Sequence, residues 1–111
     1  MGDYWHANPI KFNKLNDLQR KNIGRDRAKN TFIDKYYSIK ILYLWEKDIL
    51  ERPDLCASLI KLYIDNKGVL DNYHSFNYIF YNDKPILSDK IIQPYQDMDS
   101  DKINGYKKVA V

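Results

Sequence analysis

Residues 38–45, Ser-Ile-Lys-Ile-Leu-Tyr-Leu-Trp, are the stretch on which the fold depends. They are rich in β-branched and aromatic types and are apolar on both faces, which predicts a buried strand. Residues 46–49 are expected to end this strand. A single strand cannot form a sheet, so further strands are expected from the tail, from a partner chain or from sequence upstream.

A helix is predicted on each side of this strand. The first runs from about Asp17 to Tyr36, with Asn16 as its N-cap. The second begins at Pro53, because proline is favoured in the first turn, and Gly68 supplies its stop. Helix, strand and helix in this order predict an α/β layer in which both helices cover a sheet. The apolar stripe assigned to the core of the second helix is Leu55, Cys56, Leu59, Ile60, Tyr63 and Ile64.

The tail contains signals for a short hairpin. Residues 73–81 have the composition of a strand, Asn82-Asp83 with Pro85 predict a turn, and Ile86-Leu87 return as a second strand. Residues 97–108 are polar and lack a period, which predicts poor order. The chain therefore divides into a domain over residues 1–68 and an extension over residues 69–111.

Composition narrows the class of protein. The 111 residues are enough for one domain, and no run of about 18 apolar residues or signal peptide is present, so we expect a cytoplasmic protein without a membrane partner. Cys56 is the single cysteine, which excludes an intramolecular disulfide and multi-cysteine zinc sites. Nine of the 18 lysines and arginines lie in the first 40 residues, as in a phosphate-binding surface. A solvated lysine-rich helix accounts for this charge equally well.

The start of the chain carries an unusual cluster. Asp3-Tyr4-Trp5-His6 places a carboxylate, two aromatic rings and an imidazole side by side. Chain ends normally fray and carry small or solvated residues, so the cluster predicts an active-site segment whose upstream support is missing.

A second candidate lies on the first helix. At 100° per residue, Asp26 shares a face with Leu15, Leu18 and Ile33, where a purely structural helix has apolar residues. A carboxylate on a packing face requires a partner or a function. Pairing with Lys29 or with Arg25 at the boundary of the core is the alternative.

Three segments together resemble the very-short-patch-repair (Vsr-like) endonucleases, above all their phage homing-endonuclease branch, the EDxHD group. The segments are Tyr4-Trp5-His6, residues 21–27 (Lys-Asn-Ile-Gly-Arg-Asp-Arg) and residues 39–46 (Ile-Lys-Ile-Leu-Tyr-Leu-Trp-Glu). The resemblance covers about residues 2–64. It implies the PD-(D/E)xK restriction-endonuclease fold and cleavage of double-stranded DNA with a divalent metal, usually Mg²⁺.

The resemblance also implies roles for particular residues. His6 would exchange protons with the attacking water or the leaving oxygen, a role that suits an imidazole titrating near neutrality. Asp26 would be a second catalytic residue, and the flat indole of Trp5 would wedge against or between bases. The residues that would contact DNA phosphates from the first helix are Lys21, Arg25 and Lys29.

The departures from the family matter as much. The principal metal-binding Asp of the family lies on a strand upstream of the position of Gly2, and a Glu on a still earlier helix completes the site. Met1 stands where the family carries a further polar site residue, and Asp3 is the candidate metal ligand within this chain. No zinc is expected, because no Cys or His follows His6 until Cys56.

The sequence therefore predicts a truncated PD-(D/E)xK domain with a helix-strand-helix order and a short C-terminal hairpin. We expect an N-terminally truncated or split homing endonuclease of bacterial or phage origin, completed by a separate N-terminal fragment or by a homodimer partner. The alternative is a catalytically inactive DNA-binding or interaction remnant. A protein without a nucleic-acid role would leave the pairs Trp5-His6 and Arg25-Asp26 unexplained.

Overall fold

The computed structural model describes residues 1–95, so the predicted poorly ordered stretch 97–108 lies outside the described residues. The fold is mixed α/β, as the sequence predicts at this level. None of the helices in residues 1–95 is long and apolar enough to cross a membrane. The elements are α1 (Asp17–Tyr37), α2 (Glu46–Glu51), α3 (Pro53–Asp65), a 3₁₀ helix (Ser75–Asn77), β1 (Tyr78–Tyr81) and β2 (Lys84–Leu87).

Helix α1 begins where its capping signal predicts. The Asn16 side chain accepts a hydrogen bond from the Gln19 backbone N–H, and the Gln19 side chain accepts one from the Asn16 N–H, which forms a capping box. The predicted packing face is displaced, because Leu18 is 43% exposed. The buried residues of α1 are Gln19, Ile23, Gly24 and Ala28.

The predicted strand over residues 38–45 is wrong. This segment joins a neighbour in β geometry only at Tyr43, which forms an isolated parallel bridge with His74. The Tyr43 N–H donates to the Tyr73 carbonyl at 2.7 Å, and the Ser75 N–H donates to the Tyr43 carbonyl at 2.9 Å. One bridged pair is too short to define a strand. Residues 38–45 therefore form an irregular connection, although their composition is typical of a strand.

The N-terminus of the chain is hydrogen-bonded to the other side of the segment over residues 38–45. The Met1 ammonium donates to the Leu44 carbonyl at 2.7 Å, and the Glu46 N–H donates to the Met1 carbonyl at 2.8 Å. These two bonds lie on either side of Trp45 and hold Met1 against this segment. Residues 46–49, which were expected to end a strand, instead form the beginning of α2.

Helix α3 and the hairpin form the apolar core. Leu55, Leu59, Leu70 and Tyr78 make one buried cluster, and Cys56 is buried as predicted. Within the predicted stripe, however, Ile60 and Ile64 are 45% and 67% exposed, so that part of the core prediction is wrong. After α3 the chain passes through Gly68 at a φ of 78°, a left-handed conformation that favours glycine and that fits the predicted stop.

The predicted hairpin is confirmed, but its first strand is shorter than the predicted residues 73–81, because Ser75–Asn77 form the 3₁₀ helix and β1 covers only Tyr78–Tyr81. Strands β1 and β2 pair antiparallel, with Tyr78 opposite Leu87 and Tyr81 opposite Lys84. The two turn residues, Asn82 and Asp83, have φ angles of 49° and 60°. Positive φ at both positions is the geometry of a type I′ turn, which Asn and Asp tolerate better than most residues.

Candidate active site

Helix α1 holds the N-terminal segment through three successive side chains on one face. Helix positions three or four residues apart lie one above the other, so consecutive residues of an extended segment meet them in turn. This use of the face explains why it is polar rather than apolar. The contacts are Gln19 to the Tyr4 carbonyl at 2.7 Å, Asn22 to the Trp5 carbonyl at 2.7 Å and Asp26 to the His6 ring at 2.6 Å.

The last of these contacts joins the two predicted catalytic residues. The Nδ1 atom of His6 lies 2.6 Å from Oδ2 of Asp26, and the two side chains are 33% and 24% exposed. Burial raises the pKa of the Asp26 carboxyl, and this outweighs the lowering by the hydrogen bond and charge of His6 and by the charge of Lys29. The hydrogen-bonded partner of Asp26 is therefore His6. Lys29, which the sequence offered as an alternative partner, acts on Asp26 through its charge.

The two ring nitrogens of His6 have different roles in this arrangement. When Asp26 is ionised, its carboxylate can only accept a hydrogen bond, and Nδ1 of His6 then carries the proton. Nε2 of the neutral ring is then the basic nitrogen. A histidine oriented in this way by a carboxylate is suited to accept a proton from a water or hydroxyl group.

A cavity of about 860 Å³ opens beside this pair. Its wall includes His6 and Asp26, parts of the segment over residues 40–45, the loop over residues 70–77 and residues 93–95. The Tyr43 hydroxyl reaches the Asp26 carbonyl at 3.4 Å, which ties this wall to α1. The candidate proton-transfer pair therefore borders a space large enough for a small molecule or part of a polymer.

The predicted DNA contacts lie on the same helix and its docked segment. Trp5 is 56% exposed, and its ring packs edge-on against Tyr4 at a centroid distance of 5.2 Å. Four-residue spacing brings three exposed basic side chains onto one face of α1, which we call the basic stripe. The basic stripe consists of Lys21, Arg25 and Lys29.

The predicted metal ligand, Asp3, is placed differently. It is 5% exposed, and its carboxylate accepts hydrogen bonds from Asn8 at 3.1 Å and from Lys11 at 3.0 Å. Burial raises the pKa of Asp3, but the bonds from Asn8, Lys11 and the Lys47 backbone together lower it below its ordinary value. Asp3 stabilises the N-terminal turn and is not part of the cavity wall.

The described residues contain no preformed cluster of metal-ligating side chains. Within residues 1–95, no group of three or more His, Cys, Asp or Glu side chains is arranged to hold a metal ion. Asp26 and His6 offer two donor groups, and they are already hydrogen-bonded to each other. Mg²⁺ usually takes one or two carboxylates in octahedral geometry together with waters and substrate oxygens.

Sequence reasoning missed His74. Its ring stacks on that of Tyr43, at a centroid distance of 4.7 Å, and on that of Phe76, at 4.8 Å. Burial lowers the pKa of His74 to about 4, so the ring is neutral near pH 7. One signal was available, the spacing of two between Tyr43 and Trp45, which places both rings on one side of an extended segment. His74 and Phe76 have the same spacing, but Phe76 lies in the 3₁₀ helix.

Comparison with protein-family models, with curated proteins and with solved structures gives no match. The resemblance to Vsr-like endonucleases therefore stays a prediction that rests on the residues of this chain.

Proposed function

We propose that this chain binds double-stranded DNA along the basic stripe of α1 and that His6, oriented by Asp26, exchanges a proton during hydrolysis of a phosphodiester bond. The observation that carries this proposal is the 2.6 Å contact between Nδ1 of His6 and the Asp26 carboxylate.

The proposed chemistry uses the free nitrogen of His6. A water molecule attacks phosphorus, Nε2 of His6 takes one of its protons, and the bond from phosphorus to the leaving oxygen breaks. The leaving oxygen receives a proton from solvent, and the products are a phosphate monoester and a hydroxyl. Asp26 stabilises the imidazolium that forms, as a positioned carboxylate does for other catalytic histidines.

The surrounding charge and exposure favour a nucleic acid as the substrate. The basic stripe presents three cations at four-residue intervals on the helix that also carries Asp26. Trp5 is more than half exposed and directly precedes His6, so a wedge against bases would stand beside the proton-transfer group. Lysine and arginine contacts to phosphates supply most of the non-specific affinity for DNA.

Magnesium, implied by the resemblance, would offset negative charge at phosphorus when bound. Residues 1–95 contain no group of three or more ligating side chains, and we propose that a separate N-terminal fragment or a homodimer partner supplies further ligands. The same proposal includes the PD-(D/E)xK fold, with its remaining strands contributed from outside residues 1–95. It also includes a cytoplasmic setting in a bacterial or phage-infected cell.

One observation favours the second candidate, a catalytically inactive DNA-binding remnant. Asp3, the only carboxylate predicted as a metal ligand, is neutralised by Lys11 at 3.0 Å. A chain that keeps the basic stripe and Trp5 but lacks metal ligands would still bind DNA. Binding without cleavage is the behaviour that separates this candidate from the enzyme.

The test is cleavage of plasmid DNA with Mg²⁺ by the chain alone and by the chain completed with the polypeptide encoded directly upstream, fused at Gly2 or added in trans. We expect little or no cleavage by the chain alone and clear cleavage by the completed protein. In the completed protein, His6→Ala and Asp26→Ala should each lower the rate on the order of 10² or more. Trp5→Ala should act mainly on binding or site preference.

The matched control is Lys61→Ala, which removes an exposed charge from α3 and should leave the cleavage rate unchanged. A completed His6→Ala protein with full activity would remove the proton-transfer role. A completed wild-type protein that binds DNA without cutting it would establish the inactive remnant instead.

A further inference from the structure

Residues 88–95, which we call the strap, follow the hairpin and are fixed at their start to a buried side chain. Asn77 is 1% exposed, and its backbone carbonyl accepts from the Ser88 N–H at 2.6 Å. Its side-chain amide donates to the Ile92 carbonyl at 3.1 Å and accepts from the Ile92 N–H at 2.7 Å. The amide therefore pairs with the strap as a neighbouring backbone would.

The far end of the strap is attached to α1 and to the N-terminal segment. Nη2 of Arg27 donates to the Pro94 carbonyl at 2.8 Å, and the Tyr95 hydroxyl donates to the Phe12 carbonyl. Tyr95 also has a φ of 49°, in the left-handed region that residues other than glycine adopt with some strain. Hydrogen bonds of this kind hold the end of the strap in place against that strain.

The strap forms one wall of the cavity described above. Residues 93–95 line this cavity, which also borders His6 and Asp26. Its volume of about 860 Å³ is that of a site for a small molecule. A strand of duplex DNA that is to place a phosphate within this cavity therefore needs one wall to move.

Burial indicates which wall moves. Trp45 and His74, from two other parts of the wall, are 2% and 9% exposed and belong to the packed interior. In the strap, by contrast, Gln93 is exposed, and Pro94 and Tyr95 are half-buried. Segments with few buried contacts open at the lowest free energy, so the strap is the wall that opens most readily.

Arg27 has the chemistry to couple this opening to DNA. It follows Asp26 on α1 and lines the same cavity, and the acceptor of its Nη2 group in the strap is a neutral carbonyl. A phosphate offers a guanidinium the attraction of opposite charges and two parallel hydrogen bonds. A DNA phosphate therefore competes with the Pro94 carbonyl for Arg27, and a ligand that binds the open state better shifts the population towards it.

We propose that the strap is autoinhibitory, and that Arg27 is a further DNA-phosphate contact which the Pro94 carbonyl occupies until DNA displaces the strap. The displaced strap moves as one unit, so the pairing of Asn77 with Ile92 breaks as well. The inference rests on the proposed function, because the displacing ligand is the DNA bound along the basic stripe. It follows that a weaker strap gives tighter DNA binding, since the apparent affinity is proportional to the fraction of open protein.

The first experiment weakens the strap without removing a basic or catalytic residue. Tyr95→Phe deletes the hydroxyl that donates to the N-terminal segment. Hydrogen exchange of the Ile92 amide, followed by NMR of the ¹⁵N-labelled chain, reports opening of the strap, and the Ile49 amide in α2 reports on the rest of the fold. We expect about three- to tenfold faster exchange at Ile92, the effect of losing one hydrogen bond, and no change at Ile49.

The matched control is Tyr81→Phe, which deletes a hydroxyl from a residue of β1 that is 64% exposed. It should change exchange at neither amide. Unchanged exchange at Ile92 in Tyr95→Phe overturns the strap.

The second experiment measures the affinity of the full chain for a labelled duplex by fluorescence anisotropy. We expect Tyr95→Phe to bind more tightly by the same factor by which its Ile92 exchange increases, and Tyr81→Phe to bind as the wild type does. Arg27→Ala should reduce the slope of log affinity against log salt concentration by about 0.9, as loss of one phosphate contact does. In wild type saturated with the duplex, the Ile92 amide should exchange faster than in the free protein.

The outcomes separate this inference from the proposed function. If wild type and Tyr95→Phe bind the duplex with equal, salt-dependent affinity, the strap is not inhibitory and the proposed function stands. Unchanged or slower Ile92 exchange in the DNA complex overturns displacement of the strap, and this comparison in wild type decides even if Tyr95→Phe does not fold. If neither protein binds the duplex, the proposed function fails, and inhibition by the strap fails with it.

Discussion

The Nδ1 atom of His6 lies 2.6 Å from the carboxylate of Asp26, although 20 residues separate them along the chain. The contact depends on α1, whose side chains at positions 19 and 22 hold the two residues that precede His6. The pair is therefore set by the docking of the whole N-terminal segment, and its two members should be separable by substitution without loss of that segment.

Asp26→Asn tests this separation. Because burial raises the pKa of Asp26, its negative charge costs stability in the folded protein at pH values above that pKa. The variant should therefore have an equal or higher free energy of unfolding at pH 7. The difference should vanish as the pH falls below 3.8, the ordinary value, where the carboxyl is protonated in both states. Urea unfolding of both proteins at the two pH values measures this.

The same variant should lose cleavage in the completed protein, because an amide does not stabilise an imidazolium as a carboxylate does. Retained stability with lost activity would separate the chemical role of Asp26 from its structural one. Clear destabilisation of Asp26→Asn at pH 7 would contradict the prediction, since it would show that attraction to His6 outweighs burial.

The basic stripe should determine how DNA binding depends on salt. Each phosphate contact that a lysine neutralises adds about 0.9 to the slope of log affinity against log salt concentration on duplex DNA. We therefore expect the double variant Lys21→Ala, Lys29→Ala to reduce the slope by about 2. Fluorescence anisotropy of a labelled duplex over a series of salt concentrations provides the measurement.

The matched control removes two exposed lysines from elsewhere, Lys61 on α3 and Lys90 after the hairpin. It changes the net charge by the same amount and should leave the slope close to that of the wild type. Equal reductions in the two double variants would mean that net charge, rather than the stripe, determines binding.

Sequence signals correctly predicted the features of the fold that depend on residues close together in the chain. The N-cap of α1 at Asn16, the stop at Gly68 and the turn at Asn82-Asp83 each depend on neighbours within a few residues, and all three appear as expected. The strand prediction for residues 38–45 is wrong because β propensity describes how well a side chain fits a pleated surface. A strand also needs a neighbouring segment that pairs with it over several residues. Helix α2 was missed because it has six residues and its N-cap, Trp45, makes no side-chain capping bond.

In the candidate site, too, the sequence predicted local features but not contacts between distant segments. The position of Asp26 on a packing face was readable from helical periodicity, and the resemblance linked it with His6. The spacing of Tyr43 and Trp45 could be read from the sequence, but the stacking of His74 on Tyr43 could not, because it depends on the register between two segments about 30 residues apart. The ion pair of Asp3 with Lys11 likewise depends on how the N-terminal turn closes.

Stability at mildly acidic pH should depend on His74. Its folded pKa is lowered by burial from 6.5 to about 4, so between these values the unfolded chain binds a proton that the folded chain does not. Stability should therefore fall as the pH drops through this range, by on the order of 3 kcal/mol from this residue. His74→Phe keeps a ring in the stack and removes the titration.

Urea unfolding of both proteins between pH 7 and pH 4.5 gives the free energy of unfolding as a function of pH. Subtracting one curve from the other cancels the contributions of the titratable groups that both proteins contain. We expect His74→Phe to gain stability relative to wild type as the pH falls. Parallel curves would contradict the prediction and would show that the imidazole reaches solvent.

The strongest structural effect is expected at Asp48, which connects α2 to the start of α3 and to the 3₁₀ helix. It is 3% exposed and accepts hydrogen bonds from Arg52 at 2.6 and 3.1 Å and from the Ser75 hydroxyl at 2.8 Å. Arg52 also donates to the carbonyls of Ser75 and Tyr78, so loss of the carboxylate leaves a partly buried charge without its counter-ion. Breaking a buried pair in this way costs about 3–5 kcal/mol.

Asp48→Ala should therefore lower the free energy of unfolding by about 3–5 kcal/mol, and Asp48→Asn by less, because the amide oxygen still accepts from Arg52. The control is Glu51→Ala on the same helix, which breaks the Lys47–Glu51 pair at the same four-residue spacing. That pair is exposed to solvent, where screening and side-chain entropy leave ion pairs little net effect. Urea midpoints that shift equally in Asp48→Ala and Glu51→Ala would show that burial of Asp48 does not set the strength of its network.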